Sequence, residues 1–252
     1  MQTAIAYRVT ALFQIAITFI WVFILYALWD AAFLESGAIA GYTWDEMRTY
    51  ILIAYGLNAL VGWRVGGQMM VTIRTGEITR ELTRPLNYRS TQVATAVGLS
   101  VIEGVIGLLL VVILGTLFFD MQPPDSVRAA ILFVFAVLVG FLIKALCIFL
   151  VSLLCFWTLS SVGLMWAQQS VISILSGTLI PIAMMPDWLR LVAEVLPLRG
   201  IVSTPLQIYL GKSQGWDLVG LLALQVGWLA VLWVFSDWAW KAAFNAVEIQ
   251  GG

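Results

Sequence analysis

Arg64, Glu103 and Lys144 are charged residues standing inside stretches that are otherwise apolar. A charge at the centre of a bilayer costs at least ~2.5 kcal/mol unless it pairs or reaches a headgroup, so each of the three invites a functional reading. Together they could line a substrate path or relay an ion. Structural readings compete with this. Arg64 and Lys144 each lie sixteen residues downstream of a basic boundary residue, Arg48 and Arg128, which places both near the opposite interface, where they could snorkel to headgroups. Glu103 lies deeper, and its structural alternative is an ion pair with one of those cations on a neighbouring helix.

Other chemistries find little support. The chain has no histidine, which removes histidine-based metal sites, Ser-His-Asp and Cys-His catalysis and the H-E-x-x-H pattern. No serine or carboxylate constellation converges on one face, so an intramembrane enzyme is not expected. Cys147 and Cys155, eight residues apart on one helix, would stand roughly 12 Å apart, too far for a disulfide. Gly211, Lys212 and Ser213 resemble the end of a nucleotide-binding loop, but Leu206 occupies the position of its first glycine. The chain is therefore expected to be no enzyme and to hold no metal or cofactor. Thirteen basic against fourteen acidic residues carry no electrostatic footprint for nucleic acid.

The elements that must position these residues are membrane spans. Of the chain's 252 residues, 62% are apolar and 11% charged, against about 45–50% and about 25% in soluble domains. Apolar runs long enough to cross ~30 Å of hydrocarbon predict six spans, at about 9–29, 49–73, 91–119, 129–157, 169–185 and 216–240. Lys144 interrupts the fourth run, yet each half is too short to cross alone, so one long helix is expected. An even number of spans puts both termini on one side. The arginines Arg74, Arg80, Arg84 and Arg89 between spans two and three favour that side as the cytoplasm; the expected location is a bacterial inner membrane. Gly62/Gly66, Ala94/Gly98 and Ser173/Gly177 predict close helix packing within the bundle. Trp29, Trp157, Trp216 and Trp240 near the span ends read as an interfacial belt in contact with lipid.

Between spans five and six, Asp187, Arg190 and Glu194 form a polar stripe with Trp188, Leu189, Val192, Val195 and Leu196 around the other face, predicting a short amphipathic helix ended at Pro197. The apolar piece from Ile201 to Leu210, interrupted by Pro205 and closed by Gly211, covers about half a bilayer. Together they predict a re-entrant or surface-lying hairpin over 186–211.

Two segments carry a resemblance. Residues 74–89, RTGEITRELTRPLNYR, and 176–212, SGTLIPIAMMPDWLRLVAEVLPLRGIVSTPLQIYLGK, resemble permease subunits of ABC-2-type ABC transporters, particularly small six-span exporter permeases without a fused ATPase. The family's coupling segment, a Gly followed by Leu and Arg-Pro-Leu, is matched by Gly76, Leu82, Arg84, Pro85 and Leu86. Its succession at the end of span five and the following hairpin is matched by Gly177, Pro181, Pro186, Trp188, Leu189, Leu196, Pro197, Tyr209, Leu210 and Gly211. The resemblance implies an all-α polytopic membrane protein with six transmembrane helices, a cytosolic coupling helix between spans two and three, and a re-entrant extracellular hairpin acting at the exit. It implies two permeases paired together and cytosolic ABC ATPase subunits that bind ATP and Mg. Glu77, Arg80 and Glu81 would join the coupling surface, where this chain is more charged than the usual apolar helix. The rival is a secondary transporter or channel using Arg64, Glu103 and Lys144 without an ATPase; its internal repeats are not apparent.

Overall fold

A computed structural model of the chain describes residues 20, 23–35, 37–60, 63–78, 88–158 and 161–250. Helix α1 covers 23–35, and a two-stranded antiparallel ribbon follows, β1 (Ala38–Ile39) with β2 (Tyr42–Thr43). Ala40 and Gly41 between them both take positive φ, 48° and 81°. This sign pattern matches the right-handed twist of a tight hairpin. Thr43 then starts helix α2 (Trp44–Ala59) through a reciprocal cap, its hydroxyl accepting from the Glu46 N–H and the Glu46 carboxylate accepting from its own N–H at 2.8 Å. Helices α3 (Trp63–Arg74), α4 (Tyr88–Phe118), α5 (Val127–Leu153), α6 (Ser161–Leu175), α7 (Asp187–Val195), α8 (Ser203–Tyr209) and α9 (Gly215–Gln250) complete the described chain.

α5 begins where the Ser126 hydroxyl accepts from the Ala129 N–H, and it runs unbroken through Lys144 into a 3-10 turn at Leu154–Phe156. Val127–Phe156 and Gly215–Ala243 are long and apolar enough to cross a membrane. α5 is the hub, contacting α9, α8, α3, α4 and α6. Two apolar clusters divide the molecule along it. One gathers α2, the upper part of α5 and the segment 198–209 around Tyr50, Leu57, Ile143, Leu146 and Leu206. The other joins Met70, Ile73, Ile78 and Tyr88 to Phe149, Leu153 and Ala243.

Several expectations are corrected. The second span is described as two helices, α2 and α3, with 61 and 62 outside the described residues. The fifth helix is Ser161–Leu175 instead of about Gln169 to Met185: Gly177, at φ +86°, follows its end, and the mostly apolar residues from Ser161 to Gln168 lengthen its other end. Pro205 does not interrupt a helix. It sits in the first turn of α8, where its missing N–H has no helical partner to lose. Of the small-residue pairs, Gly66 packs against Ile148 and Gly177 against Tyr50, whereas a Cβ on Gly98 would meet nothing, so Ala94/Gly98 joins no packed surface within the described chain; Gly62 lies outside the described residues.

Candidate functional site

The end of the molecule that carries 176–214 is tied together mostly through main-chain groups. The Tyr50 hydroxyl donates to the Gly177 carbonyl at 2.7 Å, and a Cβ on Gly177 would stand 2.8 Å from that hydroxyl oxygen. The Ser203 N–H donates to the Ser176 carbonyl at 3.0 Å, closing 176–203 into a loop. Tyr209 links two connections: its hydroxyl donates to the Gln122 carbonyl at 2.9 Å, and its carbonyl accepts from the Asp125 N–H at 3.0 Å. Gly211 has φ +65°, and a Cβ there would lie 2.6 Å from the Asp125 carboxyl carbon.

Prolines set the directions of the strap. Buried Pro181 leads into the 3-10 turn Ile182–Met184, exposed Pro186 precedes α7, and Pro197 opens the turn Pro197–Gly200. α7 departs from expectation in which face it buries. Ala193 is fully buried and Leu189 partly so, whereas Trp188 is 70% exposed and Val192 is exposed beside Leu191 and Val195. Most of its apolar stripe therefore lacks cover within the described chain.

The deepest tie is one that sequence reasoning missed. Gln225 of α9 donates from Nε2 to the Ala136 carbonyl of α5 at 2.7 Å and to the Gly200 carbonyl at 2.8 Å, and Gln225 is 2% exposed. Trp228, three residues on, donates to the Val195 carbonyl at 2.8 Å. An amide inside an apolar span was the available signal, because such a group must find partners. At the surface, the Lys212 ammonium pairs with Glu46 at 2.6 Å, donates to the Gly41 carbonyl at 2.8 Å and lies over the Tyr42 ring. Burial raises the Glu46 carboxyl, but the hydrogen bonds from Lys212 and Thr43 outweigh it and hold the group below its ordinary value. Burial, with Glu46 nearby, pushes the Tyr42 phenol up to about 12.

Among the intramembrane charges, Lys144 is 1% exposed and does not reach a headgroup. Its ammonium donates to the Asn58 main-chain carbonyl and, at 3.0 Å, to Asn58 Oδ1. A cation on the last carbonyls of α2 also meets the negative end of that helix dipole. Arg64 lies in α3 and Glu103 in α4, and the placement of their side chains is outside the description. In the segment expected to couple, Gly76 and Glu77 are exposed, while Arg80, Glu81, Leu82, Arg84, Pro85 and Leu86 lie outside the described residues. Both flanks are buried: Ile78 and Tyr88 join one cluster, with the Tyr88 ring stacked on Trp240 at 4.3 Å.

Long apolar helices, buried polar ties between them and a helical strap folded back on the bundle make a predominantly helical fold, with two helices long and apolar enough to cross a membrane. The family model described as "ABC-2 family transporter protein" matches residues 19–251, and the chain belongs to that family of transporter permeases. No curated protein and no solved structure matched the chain. Family permeases are generally non-catalytic membrane components that work with ABC ATPase partners.

Proposed function

We propose that the chain is the six-span permease subunit of an ATP-driven exporter, paired with a second permease and driven by two separate cytosolic ATPase subunits that bind ATP and Mg. The match to the family over 19–251 carries this reading. Support for the span arrangement comes from how the connections gather. The ribbon, the 119–126 connection and the 176–212 strap meet through Lys212–Glu46, Tyr209–Gln122 and Tyr50–Gly177, whereas Ile73, Ile78 and Tyr88 cluster with Phe149 and Leu153. In this reading the first set faces outward and the second the cytoplasm. The strap 186–211 caps the exit, with Gly177, Pro181, Pro186, Trp188, Pro197, Tyr209 and Gly211 setting its shape.

Co-purification tests the function. A tagged full-length chain recovered from its native membrane is expected to bring an ABC ATPase in equal amount, with ATP hydrolysis in the complex. Transport that persists with no ATPase bound and no ATP would instead favour the secondary transporter.

Cysteine accessibility tests the topology. Without Cys147 and Cys155, single cysteines replacing Ser36, Ser126 or Ser213 are expected to react with an impermeant maleimide in intact cells, and one replacing Thr79 only after permeabilisation. The opposite pattern inverts the chain in the membrane.

A further inference from the structure

Asn58 lies between a buried cation and a half-buried surface. The Lys144 ammonium can only donate, and by donating to Asn58 Oδ1 it fixes which way that amide faces. Nδ2 is then directed onward, to Ser173 Oγ on α6 at 3.5 Å, and Gln169 Nε2 donates to the same oxygen at 3.2 Å. Ser173 thus accepts twice, and its own hydroxyl hydrogen meets no acceptor among the described residues. The links from Lys144 through Asn58 to Ser173 each donate away from the cation, and the chain ends in an O–H donor on a half-buried side chain.

Among the described residues no carboxylate comes within ion-pair distance of Lys144. In a low-dielectric setting its neutral acceptors satisfy the hydrogen bonds but supply no opposite charge, so an anion placed near the network would stabilise the ammonium form. By helix rise the network lies roughly 20–25 Å along α2 and α5 from Trp44 and Val127, at membrane depth.

The surroundings specify the ligand further. Val162, Trp166, Gln169 and Ser173 recur at spacings that share one side of α6, and Val162 and Trp166 are exposed. Leu179, whose N–H donates to the Ser173 carbonyl at 3.3 Å, and Ile180 add exposed apolar surface beyond it. A free anion would have to cross that surface unaided. An amphiphile arrives with its chain on the apolar residues and its headgroup at the polar gap. We propose that Ser173 and Gln169, backed by Lys144 through Asn58, form a binding site for the acidic headgroup of an amphiphile. That such a molecule is the exporter's cargo rests on the permease reading; the binding site does not.

The test is titration of the purified full-length protein in phosphatidylcholine nanodiscs with dodecyl phosphate, dodecanol and inorganic phosphate. Dodecyl phosphate is expected to bind saturably and about tenfold more weakly to Ser173→Ala, as for loss of one hydrogen bond to a charged group. Ser173→Thr, which keeps the hydroxyl, should restore binding. Equal binding by the Ser173→Ala, Gln169→Ala double variant overturns the site. Dodecanol binding as tightly as dodecyl phosphate reduces it to an apolar groove, and inorganic phosphate binding as tightly makes it a free-anion site; either result overturns the proposal. Native protein supplies a measurement independent of any variant's folding: dodecanol at equal concentration should not displace bound dodecyl phosphate, and displacement would show that the site does not read charge. Binding in a chain that recruits no ATPase would leave the site standing and remove only the cargo role, whereas ATPase-driven transport in a chain that does not bind dodecyl phosphate would overturn the site and leave the permease reading standing.

Discussion

Gly140→Ala is expected to destabilise the protein by about 3 kcal/mol or more, in the opposite direction to its effect in an isolated helix. Replacing a mid-helix glycine with alanine ordinarily gains about 1 kcal/mol from backbone entropy. Here the added Cβ would stand 2.4 Å from the Gly200 carbonyl oxygen and 3.2 Å from the Ile201 Cα. Both are main-chain atoms, so no rotamer change relieves the contact, and the segment 197–201 must move off α5. That movement also pulls Gly200 from Gln225, whose Nε2 holds Gly200 and Ala136 together. A buried carbonyl left unsatisfied adds about 1–3 kcal/mol. Thermal unfolding in detergent, with the monodisperse fraction as a second readout, measures the effect. Gly98→Ala is the control: a Cβ there meets nothing, so it should be neutral or slightly stabilising. A Gly140→Ala protein within about 0.5 kcal/mol of native, the range of an ordinary surface substitution, would mean that the strap is not clamped to α5.

The sequence revealed elements that lipid makes obligatory and hid those that depend on a partner. α5 and α9 were legible because a span needs a long unbroken apolar run, and α5 keeps its run through Lys144. α6 begins earlier than the span expected from about Gln169, because a helix can carry polar residues such as Gln168, Gln169 and Ser170 where other polar groups meet it, as Asn58 meets Ser173. The ribbon β1–β2 has strands too short for any alternation to show, and Ala40 adopts its positive φ without being a glycine. For α7 the amphipathic period was visible, but not which part of the apolar stripe the bundle would cover; Ala193 and Leu189 are covered and Trp188 is not.

Lys144 shows the same boundary more sharply. Headgroup or substrate were the alternatives available from spacing, and the ammonium instead holds the carbonyl and side-chain oxygens of Asn58. Nothing in the run around Lys144 names Asn58, because the two residues, 86 apart in sequence, meet only in the folded bundle. The residues resembling the family's strap motif behave differently. Gly177 and Gly211 hold left-handed backbone beside Tyr50 and Asp125, and Pro186 and Pro197 stand at the starts of helical segments. Their roles are local, so their spacing alone marked them.

Reversing Glu81 and Arg84 together is expected to weaken association with the ATPase by at least about tenfold while the permease stays folded. The two residues belong to the charged segment that resembles the family's coupling helix, and they lie outside the described residues. What the structure adds is how that segment is held. Ile78 is 3% exposed and Tyr88 5%, and both sit in the cluster built by Phe149 and Leu153 of α5. Tyr88 stacks on Trp240 of α9, so the chain between is anchored at both ends to the helices that also grip the strap through Ala136 and Gln225. In the proposed exporter, a displacement imposed on 79–87 by a closing ATPase would reach Ile78 and Tyr88 and pass to α5 and α9 through their packed side chains, which resist compression. Two variants separate docking from transmission. The Glu81→Lys, Arg84→Glu protein should lose the ATPase on co-purification, because reversed charges meet like charges across a docking surface. Tyr88→Ala should keep the ATPase and hydrolyse ATP with little transport, because the contact survives while its anchor is lost; a buried aromatic truncated to alanine also costs about 3–5 kcal/mol, so its transport is compared at equal amounts of folded protein. Normal ATPase binding and full transport in the double reversal would remove docking from this segment, and full coupling in Tyr88→Ala would show that force does not travel through its stack on Trp240.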